Sequence, residues 1–448
     1  MANLSYNLDK KVSVIFILTF TIISIIDSAI VKFIAYSGNE LSTTSYVVIF
    51  SVSFIIFAIG GIILLNSVKR YSPDSIYKQS LSQRYFHGLA LSTQFLTIGL
   101  TLIIILQMVF LNKYNLILLV VSTYLTHITA IIFLVFLVYI FVGWLRSKRN
   151  YTIALYMVSF ILISVSIVVS AIYLEYFYSR SYSMDRKPSS LHSFIIRQEV
   201  TPFSESLTSV FDIVYLLSFL SIWVATVVLL YQYRHKVGKI KYVLLMSLPL
   251  IYYSFTYNSY FGNIFSNLTL ESPIAFGVTY VLTFSATKQV GAFLFSLTFL
   301  TASVFMAKKE IRNSLLVTAI GIALLYGTIE ITTLQYRLYP PFGLVTQAII
   351  PLGSYLLLTG IFNSSTNVAR DAQLRGELSR SAKSQLSLLR TIGTSQMEKE
   401  LIKNFKAAEK RTANQETAEE YYQEEDVKQI VHEVLEELKQ KDLGKRKT

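Results

Sequence analysis

Four carboxylates interrupt long apolar stretches of the chain, and they are the side chains best placed to do chemistry in a membrane. Asp27, Glu175, Asp212 and Glu330 all lie within apolar segments. Ionisable groups are costly in hydrocarbon, so they face protein or a water-filled cavity and often mark a ligand or ion pathway. Asp27 and Asp212 are the best candidates, because they are short and their flanks, "IISIIDSAIV" and "TSVFDIVYLL", are apolar.

Two interpretations of these carboxylates stay open. In the first, they lie near the membrane interface and pair with nearby cations or extend to water. In the second, they line an outward-facing polar vestibule that binds a small solute or ion. The hypothetical ligand-binding residues of that vestibule are Asp27, Asp212, Glu330 and Lys288.

His127 is the one histidine expected deep in an apolar segment, about 16 Å from its start at 1.5 Å per residue. A histidine at mid-membrane depth can relay protons. It can equally be a packing residue whose ring is hydrogen-bonded by Thr123, Thr126 or Thr129. The surrounding hydroxyls favour the packing role.

Several other chemistries are unsupported by the residue types. The chain has no cysteine, and its five histidines form no HExxH pattern, so we expect no metal site and no cofactor. There is no serine–histidine or paired-aspartate pattern that would carry catalysis. The sequence therefore predicts a protein that is not an enzyme.

The composition predicts an all-α polytopic membrane helix bundle. Of 448 residues, 53% are hydrophobic and only 15% charged, with a mean hydropathy of +0.51. Apolar runs long enough to cross about 30 Å of hydrocarbon predict ten spans. These are residues 12–35, 46–67, 89–111, 116–143, 152–177, 207–231, 242–257, 288–307, 314–334 and 342–362. Residues 273–287 could instead lengthen the eighth span, form a re-entrant piece or lie on the surface.

Basic residues predict the orientation. The net charge of +13 resides almost entirely in the apolar part, which argues for cytoplasmic loops rather than nucleic-acid binding. The side expected to be cytoplasmic carries Lys10, Lys11, Lys69, Arg70, Lys78, Arg84, Arg146, Lys148, Arg149, Arg234, Lys236, Lys239, Lys241, Lys308, Lys309 and Arg312. Ten alternating spans then put both termini in the cytoplasm of a plasma-membrane protein.

The membrane domain is predicted to cover 1–363 and to be followed by a helical cytoplasmic segment over 364–411. We expect a helix through about Arg390, a break within 391–395, and a second helix from about Gln396 to Arg411. Gly393 suits a helix stop, and a capping box of Ser395 and Glu398 suits a new start.

An acidic linker, 412–425, and an amphipathic C-terminal helix within 426–448 complete the predicted organisation. The last helix carries an apolar stripe from Val427 to Leu438, which a single chain covers poorly. We therefore expect that 364–448 binds either a second copy of the chain, as a coiled coil, or a cytoplasmic protein partner, in addition to the contact of the chain with the lipid bilayer.

The segment "RLYPPFGLVTQAIIPLGSYLLLTGIFNSSTNVARDAQLRGEL", together with "RTIGTSQMEKE", resembles a group of uncharacterised archaeal polytopic membrane proteins. The resemblance covers about 335–405. It implies a sensor-like multi-span region with a short helical cytoplasmic tail, and a role in signal transduction. That group supplies no catalytic residues to carry over.

Two functions remain as hypotheses. The first is a membrane receptor or scaffold-like protein whose membrane domain is coupled to cytoplasmic helices that recruit a partner. The second is a secondary transporter or permease-like protein, since five spans in 12–177 and five in 207–362 would form inverted halves. Its polar vestibule would lie in the outer third of the membrane.

Overall fold

A computed structural model describes the helical core of the chain. The described residues are 43–71, 81–111, 114–147, 149–183, 202–231, 234–257, 286–306, 308–328, 341, 343–371, 388–389 and 391–402. All regular structure in these ranges is helical, and they contain no strand. The predicted all-α class is therefore confirmed for them, whereas the first predicted span, the linker and the C-terminal helix lie outside them.

The helices follow the apolar runs closely. They are α1 (Thr43–Tyr71), α2 (Leu81–Leu111), α3 (Leu116–Ser147), α4 (Tyr151–Ser183), α5 (Pro202–Leu230), α6 (Arg234–Val237), α7 (Lys239–Tyr257), α8 (Ala286–Phe305), α9 (Lys309–Thr328) and α10 (Gly343–Arg370). A further helical stretch, 391–402, follows α10 and is called the tail helix below.

Seven of these helices, α1–α5, α9 and α10, are long and apolar enough to cross a membrane. Helices α7 and α8 coincide with two further predicted spans, and the strongly apolar part of α8 is Gly291–Val304. The membrane helix bundle is thus confirmed in its coarse form. The full count of ten spans stays a prediction.

Local signals set several helix boundaries. The Asn115 side chain accepts a hydrogen bond from the Ile117 amide at 2.9 Å, and that of Asn150 accepts one from Thr152 at 2.9 Å. Each asparagine thereby satisfies a backbone donor that the first turn of a helix leaves free. Gly238, with φ of +92°, separates the single turn of α6 from α7 in a conformation that glycine adopts readily.

Helix α10 lies at the centre of the bundle and packs against α9, α3, α2 and α1. Its membrane-crossing part is buried on all sides. The peripheral helices instead expose apolar side chains: Ile59 of α1, Phe95 of α2 and Val135 of α3 are each more than half exposed. Such a surface is suited to lipid, so α10 is shielded from the bilayer by its neighbours.

Glycines bring α9 and α10 into backbone contact. A Cβ at Gly321 of α9 would stand 2.5 Å from the Leu357 nitrogen, and one at Gly360 of α10 would stand 2.6 Å from the Thr318 nitrogen. Neither position has room for a side chain. Small residues at such a crossing allow the close packing on which association of helices in membranes depends.

Several helix ends meet at one end of the bundle, called here the tail-side end. Gln83 at the start of α2 donates a hydrogen bond to Asn363 near the end of α10. Lys308, just before α9, forms an ion pair with Asp371. The tail helix packs against the end of α3 at the same place. The charge pattern predicts this side to be cytoplasmic.

Candidate functional site

A stripe of polar side chains runs along the buried face of α2. Its members are Gln83, His87, Gln94, Thr97 and Thr101, all buried. They are spaced by four, seven, three and four residues, which keeps them on one side of a helix. Sequence reasoning missed this stripe, although polar residues recurring at helical spacing within an apolar span were the signal that could have revealed it.

The tail-side half of the stripe is hydrogen-bonded to α10. Besides the bond between Gln83 and Asn363, the His87 Nδ1 lies 2.8 Å from the Tyr355 hydroxyl. The Tyr355 ring packs in turn against Phe133 of α3, with ring centroids 5.5 Å apart. These contacts tie α2, α3 and α10 together through groups that must be partnered when buried.

His127 lies on α3, and both of its ring nitrogens have partners. Nδ1 lies 2.8 Å from the Thr123 carbonyl oxygen, and Nε2 lies 3.4 Å from the Ser170 hydroxyl of α4. A ring whose two nitrogens are both held in this way is the arrangement expected of a packing residue. Thr129, one of its expected neighbours, instead pairs with Thr93 of α2 at 3.0 Å.

A small cavity opens between α2 and α10, where Pro351 interrupts the hydrogen bonding of α10. Its lining residues are Ala90, Thr93, Gln94, Thr97, Ala348, Pro351 and Leu352. Its volume of about 10 Å³ is roughly what one water molecule needs. The cavity and the polar side chains around it, on α2, α3 and α10, are called the polar layer below.

The polar layer contains hydrogen-bonding atoms that the described residues leave unpaired. Gln94 Nε2, the Thr97 hydroxyl and Gln347 Nε2 are buried without a partner in this part of the chain. The other amide atom of Gln347, Oε1, accepts a 3.0 Å hydrogen bond from the Thr123 hydroxyl. Unpaired buried polar groups are rare and point to an occupant or to a functional constraint.

The structure describes only two of the four residues of the predicted outer vestibule. Asp212 lies half-buried on α5, and no hydrogen bond or ion pair from the described residues reaches its carboxylate. Lys288 lies in the first turn of α8. Asp27 and Glu330 lie outside the described residues, so a vestibule of these four groups stays a prediction. Glu175 is exposed on α4 and accepts a 3.1 Å hydrogen bond from the Tyr124 hydroxyl.

A second group of hydroxyls joins three helices farther from α2. Ser159 of α4 lies 3.0 Å from the Ser218 hydroxyl of α5, and the Tyr326 hydroxyl of α9 contacts both serines. Neutral hydroxyls that satisfy one another inside a bundle connect helices. This group is therefore a structural tie. Among the described residues, no cluster of three or more His, Asp or Glu side chains could hold a metal ion.

The tail helix is packed onto the tail-side end of the bundle. Ile392 of this helix, and Leu388 and Leu389 just before it, are buried in the same hydrophobic core as the membrane helices. The indole Nε1 of Trp144 donates a 3.2 Å hydrogen bond to Gln396, and Lys399 lies 5.0 Å from the centre of the Tyr139 ring. Apolar burial, hydrogen bonding and a cation–π contact therefore act together here.

The predictions for this segment need correction. Helix α10 ends at Arg370 rather than continuing to about Arg390, and the tail helix runs through 391–395, where a break was predicted. Gly393 does not stop a helix; it lets the tail helix approach Val368 so closely that a Cβ would collide with that side chain. The expected capping box is absent as well, since Ser395 is buried inside the helix and Glu398 accepts a hydrogen bond from Ser147.

Comparison with known proteins adds no relative. No family model, no curated protein and no solved structure matches the chain.

Proposed function

We propose that this chain is an integral membrane receptor or scaffold-like protein. Its helix bundle positions the tail helix, and the residues that follow, 403–448, recruit a cytoplasmic partner. The single observation that supports this most strongly is the packing of the tail helix against α3 and α10. We propose no catalytic activity for this chain.

The physical basis of the coupling is that α10 contributes both to the polar layer and to the surface on which the tail helix packs. Gln347 and Pro351 of α10 lie in the polar layer, and Val368 near its end lies under Gly393 of the tail helix. A shift of α10 caused by a ligand or by the state of the membrane would move the surface on which the tail helix rests. Coupling requires that the ligand favours one of two arrangements over the other.

Truncation tests the recruitment. A chain that ends at residue 402 keeps the tail helix and loses 403–448. Proteins bound to the full-length chain should be captured in native membranes by cross-linking and should be absent from the truncated chain. If the same proteins are captured at the same yield from both, the recruitment proposal is wrong.

A second candidate function, a secondary transporter, is favoured by one observation: the polar layer lies beside a proline-interrupted helix, as solute sites of transporters commonly do. Because the natural chain lacks cysteine, a single cysteine in place of Thr97 can report access from each side of the membrane. Labelling by impermeant thiol reagents from both sides in turn would support transport. A residue protected from both sides would support the receptor.

A further inference from the structure

We propose that the segment joining α5 to α7 binds the headgroup of an anionic phospholipid. It follows the apolar part of α5, which ends at Leu230, so it lies where a membrane-crossing helix leaves the hydrocarbon. No Asp or Glu occurs between 213 and 270. Within that stretch, the basic residues of 234–241, called the basic turn below, are Arg234, His235, Lys236, Lys239 and Lys241.

The two lysines at the start of α7 have no carboxylate partner among the described residues. No hydrogen bond or ion pair from that part of the chain reaches the Lys239 or Lys241 ammonium group, and both side chains are exposed. Lys308 at the tail-side end is instead paired with Asp371. The basic turn therefore carries a positive charge that an anionic ligand would neutralise.

Arg234 is held in place by neutral groups, which leaves its charge available to a ligand. Its guanidinium carbon lies 4.0 Å from the centre of the Tyr231 ring, and its Nε donates a 3.2 Å hydrogen bond to the His235 Nε2. The Tyr231 ring packs in turn against Tyr242, with ring centroids 6.4 Å apart. No described residue accepts a hydrogen bond from the two terminal nitrogens of Arg234. A planar guanidinium fixed in this way is suited to binding phosphate.

The start of α7 exposes an apolar surface between its two lysines. Ile240 is 77% exposed, and Val243 and Leu244, one turn farther along, are each more than half exposed. Successive residues lie about 100° apart around a helix, so Lys239 and Lys241 flank Ile240 on either side. Two ammonium groups thus lie directly above an apolar surface, which is the order of polar and apolar groups that a phospholipid matches.

This arrangement favours a phospholipid over a soluble anion or an acidic protein segment. The phosphate would lie among Arg234 and the two lysines, and the acyl chains would cover Ile240 and Val243. A free phosphate would leave that apolar surface uncovered, and a protein segment would have to displace the membrane to reach it. Basic groups next to a membrane-crossing helix are attracted to anionic lipids.

Quenching of Trp223 fluorescence measures lipid occupancy on the full-length protein, without a cytoplasmic partner. Trp223 of α5 lies beside α7, since its indole Nε1 donates a 2.8 Å hydrogen bond to the Met246 carbonyl oxygen. The chain has two tryptophans, so Trp144→Phe leaves Trp223 as the reporter. The protein is placed in phosphatidylcholine nanodiscs that contain a small fraction of lipid with brominated acyl chains.

Brominated phosphatidylglycerol should quench Trp223 at a mole fraction at least about tenfold lower than brominated phosphatidylcholine does, because the basic turn attracts the anionic headgroup. Equal quenching by the two lipids overturns the proposal. Excess inorganic phosphate at constant ionic strength should leave the quenching by phosphatidylglycerol unchanged. Loss of quenching in phosphate would assign the site to a soluble anion and would equally overturn it.

Paired substitutions locate the lipid. Lys239→Gln with Lys241→Gln should weaken phosphatidylglycerol binding about tenfold, whereas Lys239→Arg with Lys241→Arg keeps the charge and should keep the binding. The matched control, Arg146→Gln with Arg149→Gln, removes the same charge from exposed positions at the junction of α3 and α4 and should also keep it. An equal loss in the control would mean that overall charge attracts the lipid, which refutes the site.

Unfolding midpoints provide an independent readout of the same site. In phosphatidylcholine alone, the Lys239→Gln, Lys241→Gln variant should unfold at the wild-type midpoint, since both substituted side chains are exposed. A ligand that binds the folded state stabilises it, so phosphatidylglycerol should raise the midpoint of the wild type more than that of the variant. An equal rise in both proteins would contradict binding at the basic turn.

Discussion

Trp144 and Gln396 are joined by a 3.2 Å hydrogen bond from the indole Nε1 to the amide Oε1, although they are 252 residues apart in the sequence. Both side chains are buried. The contact connects the end of a membrane-crossing helix to a segment that follows the whole bundle. It defines the tail helix as part of the folded core.

Gly393→Ala should release the tail helix. The added Cβ collides with Val368, and overpacking of this kind costs about 1–3 kcal/mol. Trypsin cleavage within 391–402 should accelerate about tenfold, which corresponds to about 1.4 kcal/mol. Gly88→Ala is the matched control, because a Cβ there meets nothing within 4 Å. The double variant Gly393→Ala with Val368→Ala should restore part of the protection. Equal cleavage rates for Gly393→Ala and the control Gly88→Ala would argue against close packing at Gly393.

Gly321→Ala should destabilise the bundle itself. The new Cβ would meet the Leu357 nitrogen at 2.5 Å and the Gly353 oxygen at 2.9 Å, and backbone atoms move aside less easily than side chains do. We expect a loss of about 2–3 kcal/mol in the free energy of unfolding, measured by thermal or denaturant unfolding in detergent. Gly99→Ala, where the structure leaves open space, should be neutral or stabilising.

The bond between His87 and Tyr355 should contribute about 0.5–1.5 kcal/mol to stability. Tyr355→Phe removes the hydroxyl and keeps the ring that packs against Phe133. A double-mutant cycle of Tyr355→Phe with His87→Leu isolates the pair, because the coupling energy excludes what each change does alone. A coupling energy near zero would mean that the two groups contribute independently.

Reporter fusions test the orientation predicted from the basic residues. Reporters after Ser181 and Tyr257 should lie outside the membrane, and those after Lys148, Lys239 and Arg312 inside. The meeting of Gln83, Ser147 and Asp371 at one end of the bundle agrees with the same alternation of sides. An outside signal after Arg312 would reverse the orientation from the seventh predicted span onward.

The apolar runs predicted where helices form but not which helix lies at the centre. Among the seven membrane-length helices, α9 and α10 are the least apolar and the most buried. A helix surrounded by other helices has no need to face lipid, so it tolerates residues such as Gln347 and Asn363. The lower mean hydropathy of α10 could therefore have predicted, from the sequence alone, that this helix lies in the core of the bundle.

The tail was harder to predict, because its structure depends on contacts distant in sequence. Gly393 has the intrinsic cost of any glycine in a helix, and that cost favours a break when the segment is considered alone. Burial of Leu388 and Ile392 against the bundle outweighs it. The carboxylates of the predicted vestibule could be identified from the sequence as well. The unpaired polar groups around Gln94 could not, because their burial depends on the contact between α2 and α10, which the sequence does not reveal.

Hydrogen exchange of the full-length protein in lipid nanodiscs tests most directly whether the tail helix belongs to the bundle. If it is docked, the amides of 391–402 should exchange at least about a hundredfold more slowly than those of an unstructured peptide, because exchange then requires undocking. Gly393→Ala should remove most of that protection and leave α10 unchanged. Free exchange of 391–402 in the wild-type chain, while α10 remains protected, would contradict the docking on which the proposed coupling depends.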